Sequence, residues 1–323
     1  WWCGVELSHL DFPPYDWFSI ERELGLFDKD KNPKTQVLEF KKMRSFLDSL
    51  PFDTLPKRII DGVCILTHDQ EYWPAAFGSY ILAKQSGLDL EFQYADQPLK
   101  DSSLYFMPCA NGSRIIDRRR YKKLLKKVSE GAVLYISMDS AFFSEFEEIT
   151  GLEVVTRARR SETVELDLSS IGAENRVSIP RDIRLECKPA RAKVLGTDST
   201  GSPVFTRVEY GKGVIYVLLA PLETYLVKTP GAFESSDIQS WKHIYQTAAD
   251  NAGTERAVVS DNSEIGITEH IVDESTRIIV AINYTPKEIN WNYTLTENWK
   301  QTKSYRSLPV IPANDAAVFE IRK

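Results

Sequence analysis

The spacing of apolar and polar positions changes several times along the chain, and each change marks an element. Between residues 34 and 50, Val37, Phe40, Met43, Leu47 and Leu50 recur on one helical face, and Pro51 closes the helix. The segment PFDTLPK after it reads as a linker. RIIDGVCIL then carries apolar residues on both faces, as a strand covered on both sides of a parallel sheet does. A helix from about Ala75 to Ser86 follows, with Gly87 as its C-cap. LDLEFQ and SLYFMP are the next strands. Asp117 stands where an N-cap belongs, ahead of a helix with Tyr121, Leu124, Leu125 and Val128 on its inner face. AVLYIS is a further strand and FFSEFEEI a further helix. Alternation of this kind, in units of about 30 residues, predicts an α/β sheet.

From Leu152 to Tyr210 the pattern shifts to short β runs: LEVVT, TVELDL, AKVLG and PVFTRVEY. A strong strand in GVIYVLLA restores the α/β pattern. The helix that follows buries Ile238, Trp241, Ile244, Tyr245 and Ala248 and ends at Gly253. The last segment holds strand candidates only: RAVVS, IGITEHIV, RIIVAINY, INWNYTL and AAVFEIR. Alternation at Ile278, Val280 and Ile282 predicts a small antiparallel β-sandwich. At the other end, residues 1–5 read as a short buried strand, followed by a long loop with Pro13 and Pro14. Three segments result: 1–56, one βα unit; 57–253, a parallel α/β sheet with a β-rich insertion; and 254–323, an all-β domain.

Composition narrows the function classes. With 42% hydrophobic and 27% charged residues the chain has an ordinary globular balance. A net charge of -6 argues against sequence-independent nucleic-acid binding, which needs a basic face. The run Arg118-Arg119-Arg120 falls on a helix and reads as a solvated face. No run approaches the ~18 apolar residues of a membrane span. Cys3, Cys64, Cys109 and Cys187 form no CxxC pair and no zinc spacing, so buried thiols in a reducing, cytoplasmic setting are expected, with neither metal nor cofactor. No GxGxxG or GxxxxGK[ST] motif supports a nucleotide.

The stretch WWC…DFPPYDW…ERELGLFDKDKNPKTQVLEF resembles the last βα unit of a glycosidase TIM barrel, as found in the family-42 β-galactosidases. The matching residues are Glu23-Leu24-Gly25-Leu26-Phe27 and Pro33-Lys34, then Leu38 and Phe40; Thr35 replaces a common second Pro. Downstream, 57–253 resembles the glutamine-amidotransferase-like domain that follows the barrel in those enzymes, a flavodoxin/class I amidotransferase-like sheet. Tyr210-Gly211-Lys212-Gly213-Val214-Ile215-Tyr216 with Pro221-Leu222-Glu223 is its most specific phrase. The last ~70 residues resemble the small β domain that closes them.

The resemblance implies a retaining glycoside hydrolase in which this region assembles a homo-oligomer, a trimer in the family, with carbohydrate as the parent enzyme's partner. The two carboxylic acids of such a mechanism sit on the fourth and seventh barrel strands, so no catalytic pair is expected in this chain. Trp1 and Trp2 are candidates to line a sugar subsite, and strand alternation points one of the two inward. Glu6 is either a contact to a sugar hydroxyl or a loop carboxylate bonded locally; Asp11, Asp16 and His9 read as loop residues. Active amidotransferases carry a Cys nucleophile at a strand-to-helix elbow. That elbow is expected after AVLYIS, at 137–141, where there is no Cys and Ser140 lacks a G-x-S-x-G context. His68 and Asp69 follow a buried strand, where α/β sheets bind ligands, but a hydrogen-bonded structural role is the expectation for His68. An alternative class remains open: a non-catalytic module that binds carbohydrate or protein through the α/β cleft.

Overall fold

The computed structural model describes the whole chain except residues 1–2, 18–22, 139, 236 and 307, and only the backbone of 3, 15 and 160. Contacts divide it into two compact units, 1–55 and 56–323.

In the first unit, β1 (Cys3–Val5) runs parallel to β2 (Gly25–Phe27), with Cys3 beside Gly25 and Val5 beside Phe27. A Cβ on Gly25 would lie 2.1 Å from the Glu6 amide nitrogen, so this approach requires glycine. Asp28 then turns the chain: Oδ1 accepts from the amides of Asp30 and Asn32 at 2.9 and 2.8 Å, and Oδ2 from Asn32 Nδ2 at 2.9 Å. Helix α1 (Thr35–Ser49) follows. The apolar face expected of it is present, but no residue of the helix is buried, and Met43 is 52% exposed.

The second unit opens with β3 (Lys57–Arg58), β4 (Gly62–Leu66), α2 (Tyr72–Gln85), β5 (Leu90–Tyr94), β6 (Leu104–Ala110), α3 (Arg118–Glu130) and β7 (Val133–Met138). Next come α4 (Phe146–Thr150), β8 (Leu152–Leu166), β9 (Val177–Pro189), β10 (Lys193–Thr197), β11 (Pro203–Tyr210), β12 (Gly213–Leu218), α5 (Leu222–Lys228) and α6 (Ile238–Ala252). Seven strands form one sheet in the order β10-β11-β12-β7-β6-β4-β5. The five from β12 to β5 are parallel; β11 and β10 extend the sheet antiparallel. Every residue of β4, β6, β7 and β12 is buried, which is why these strands read as unbroken apolar runs. Asp117 caps α3 as expected, its Oδ1 accepting from the Arg120 amide at 3.0 Å.

Two expectations change here. RIIDGVCIL is not one strand: Lys57–Arg58 joins another sheet, and the parallel strand starts at Gly62. Of the four short strands expected in the insertion, AKVLG and PVFTRVEY form β10 and β11, but LEVVT and TVELDL merge into β8, which runs for 15 residues and pairs with β9 as a separate two-stranded ribbon. β9 escaped the sequence pattern because Pro180 and Arg181 interrupt the alternation of Val177, Ile179, Leu185 and Cys187.

The last segment is antiparallel. β14 (Ile265–Ile271), β15 (Thr276–Asn283), β18 (Lys300–Arg306) and β20 (Ala316–Arg322) form a five-stranded sheet with β3, in the order β18-β20-β15-β14-β3. β13 (Val258–Val259) pairs with β17 (Thr294–Leu295), and β16 (Ile289–Asn290) with β19 (Val310–Ile311). A separate core holds Ile265, Ile267, Ile279, Trp291 and Phe319. β18 had no apolar signature: KQTKSYR is a largely exposed edge strand carrying two lysines.

β3 is stitched to β14 by backbone pairing at His270 and Ile271 and by the His270 ring. Its Nδ1 lies 2.9 Å from the Pro56 carbonyl and so carries the proton; Nε2 lies 3.0 Å from Thr268 Oγ1. Burial holds the His270 pKa below that of free imidazole. The unfolded chain therefore takes up this proton more readily than the folded one. The stability from the neutral ring is complete above about pH 6.5 and is lost as pH falls from there towards the folded value. Melting between pH 7.5 and 5.5 should fall more for the native chain than for His270→Gln; equal slopes would show that the ring does not report this joint.

Candidate functional site

Two places collect the chemistry-bearing residues. The first is the end of β1. Glu6 follows this strand, and its amide donates to the Phe27 carbonyl at 2.9 Å. Its carboxylate is heavily engaged. Oε1 accepts from Ser8 Oγ at 2.7 Å and from the Lys29 amide at 3.3 Å, while Oε2 meets Lys34 Nζ at 2.5 Å. The hydrogen bonds from Lys34 and Ser8 hold its pKa below the usual carboxylate value. Glu6 thus ties the loop after β1 to the start of α1. Trp1 and Trp2 lie outside the described residues.

The second place is the carboxyl edge of the parallel sheet. β5 lies on one side of β4 and β6 on the other, so the chain reverses its direction of travel across the sheet at β4. Open α/β sheets bind ligands at such a reversal. Here a cavity of about 470 Å³ opens, lined by Gln70 after β4, Cys109 and Asn111 at the end of β6, and Pro221 and Thr224 after β12. Its size falls within the ~300–1,000 Å³ of small-molecule sites. Two residues that flank the reversal have positive φ without being glycine, Asp69 at 60° and Cys109 at 46°. Such backbone strain persists where the surroundings enforce it and collects at functional sites.

What enforces Cys109 is a buried polar network. Its amide donates to Ser137 Oγ at 2.7 Å, and Ser137 Oγ donates to Glu223 Oε2 at 2.5 Å. Cys109 Sγ lies 3.2 Å from the same Oε2 and accepts from the Thr224 amide at 3.3 Å. Tyr245 OH donates to Glu223 Oε1 at 2.9 Å. Glu223 is fully buried at the start of α5, where α2 passes so close that a Cβ on Gly78 would lie 2.5 Å from the Glu223 carbonyl oxygen.

A strained, cysteine-bearing position is therefore present at the carboxyl end of β6, at Cys109. Of the segment 137–141, residue 139 lies outside the described residues; Ser137 Oγ accepts from the Cys109 amide, and Ser140 donates to Asn111 Oδ1. The signal in the sequence was the apolar run LYFMPCA ending against the turn former Asn111-Gly112. The chemistry is not that of an activated thiol. Burial, then the negative charge of Glu223, pushes the Cys109 pKa well above the ordinary thiol value. His68, Asp69 and His243 do not complete a catalytic set. The His68 amide donates to the Ile115 carbonyl, Asp69 pairs with Arg114 at 2.8 Å, and His243 is on α6. Among the described residues no His, Cys, Asp and Glu cluster could hold a metal ion, and no helix is long and apolar enough to cross a membrane.

A βα unit, an open α/β sheet and an antiparallel β domain follow one another along the chain in this order. No family model matches the chain, and no curated protein does. Among solved structures, it is similar to Gan42B, a GH42 β-galactosidase from G. stearothermophilus, with a TM-score of 0.67, 14% identity, and 94% of this chain covered against 47% of that one. The β-galactosidase of Rahnella sp. R3 matches with a TM-score of 0.70, 14% identity, and 94% against 47% coverage. The exo-β-1,4-mannosidase Op5Man5 from Opitutaceae bacterium strain TAV5 matches less fully, with a TM-score of 0.57, 19% identity, and 77% against 45%. The chain thus spans about half the length of the enzymes it matches, and at these identities the likeness is one of fold.

Proposed function

We propose that these residues form the C-terminal, non-catalytic share of a retaining β-galactosidase-like glycoside hydrolase. The observation that carries this reading is the match in fold, over 94% of the chain, to about half of a GH42 β-galactosidase. Residues 1–56 would be the closing βα unit of the barrel, 57–253 an amidotransferase-like assembly domain, and 254–323 a small β domain. The first unit supports this. Two short parallel strands do not make an independently stable sheet, and an amphipathic helix that buries none of its residues is suited to covering a barrel strand. The two catalytic carboxylic acids, ~5–5.5 Å apart in retaining enzymes, would come from barrel strands outside these residues. Trp1, Trp2 and Glu6 are the proposed contacts at the sugar rim, with Glu6 orienting the loop through Lys34. The α/β domain would mediate self-association, as a trimer.

The test is direct. The 323-residue chain should not hydrolyse a chromogenic galactoside, and light scattering should give a mass that is a multiple of 36.8 kDa. Turnover that disappears in Glu6→Gln would overturn the siting of the catalytic acids, and a monomer at all concentrations would overturn the assembly role.

A further inference from the structure

The cavity at the sheet's reversal has no part in the glycosidase reading, and its lining selects a ligand class. It holds two cations and two carboxylates, Arg181 and Lys228 against Glu71 and Asp182. Both cations are already committed. Arg181, with 3% of its side chain exposed, donates through Nε and Nη2 to Glu162 Oε1 at 2.9 and 2.6 Å, and Lys228 pairs with Glu71 at 2.6 Å. An anionic ligand would have to compete with these carboxylates for both cations and would also face Asp182. What remains available is two-handed, and its acceptor is a carboxylate. Asn111 Nδ2 can donate, Asp182 Oδ2 can accept, and Thr224 Oγ1 can do both; none of these atoms has a partner among the described residues. A hydroxyl is the ligand group that both donates and accepts. Tyr225, its ring centroid 6.4 Å from that of Trp241 and its plane at 70° to it, also lines the cavity, and an aromatic side chain is the kind of group against which a ring's C–H face packs.

We propose that this cavity is a non-catalytic binding site for a neutral polyhydroxylated ring compound, one or two sugar units long. It does not depend on the glycosidase assignment. Cys109 contributes shape and a sulfur surface and forms no covalent bond, since its thiol stays protonated.

The test uses the full chain with lactose and galactose as probes, and gluconate and inorganic phosphate as charged controls, in saturation-transfer NMR and calorimetry. Lactose should bind with a Kd of about 1–10 mM, and Asn111→Ala and Asp182→Ala should each weaken it about five- to ten-fold. Lactose should also slow amide hydrogen exchange at 109–112 and 221–229 in the unsubstituted chain, a readout that needs no variant. Failure of both sugars to bind at ~50 mM, tighter binding of phosphate or gluconate, or sugar binding that leaves both variants and these amides unchanged would overturn the proposal.

Discussion

Asp61→Ala should destabilise the protein by about 3–5 kcal/mol, read as a shift in the urea midpoint, because it strands a buried cation. Arg256 Nε donates to Asp61 Oδ1 and Oδ2 at 2.9 and 3.0 Å, and its Nη2 also reaches Oδ2. The two side chains are 8% and 1% exposed. Burial works against the Arg256 charge, yet the hydrogen bonds and charge of Asp61 outweigh it and hold the Arg256 pKa above its ordinary value. Asp61 Oδ2 also accepts from the Asp89 amide at 2.6 Å, and Asp89 in turn holds Lys84 at 2.8 Å and Arg58 at 3.0 Å. One substitution therefore leaves a guanidinium and an amide unpaired away from water. Replacing both partners by apolar residues, Asp61→Leu with Arg256→Met, should recover most of the loss, since removing a buried pair together is often near neutral. A single variant that melts like the native chain would show that water reaches this joint.

Glu223→Ala should cost about 2–4 kcal/mol, mainly because Ser137 loses the acceptor for its hydroxyl and a buried side chain disappears. Tyr245 is less affected, because its OH also lies 3.2 Å from Ser79 Oγ. Glu223→Gln keeps the shape and one acceptor oxygen and should cost less. The two variants share a second readout. Both remove the negative charge 3.2 Å from Cys109 Sγ, so the thiol pKa should fall and iodoacetamide should modify Cys109 faster at a given pH above neutrality. Unchanged alkylation with lowered stability would mean that burial alone sets the thiol's behaviour.

The parts of this fold legible in the sequence are those in which burial acts on both faces of a strand. β4, β6, β7 and β12 could be read because every position in them is apolar or small. β18 could not, because an edge strand facing water has no apolar face to display, and β9 was hidden by an arginine buried on glutamate where an aliphatic residue would have kept the alternation. The site was harder still. A φ of 46° at Cys109 leaves no trace in residue type, since the turn is imposed by Ser137, 28 residues away, and by Glu223, 114 away. Glu223 was visible as part of a family-like phrase, but its role depends on tertiary contacts. Glu6 was placed correctly after its strand; that Lys34 occupies one of its oxygens follows from the tight Asp28 turn, which spacing does not encode.

The pairing of β3 with β14 bears on modularity. A cut after residue 253 would not release a self-sufficient cassette, because the five-stranded sheet takes its outer strand from residues 57–58 and its charge balance from Asp61. Transplanting the terminal β domain into another host would require carrying residues 56–61 with it, as a discontinuous graft.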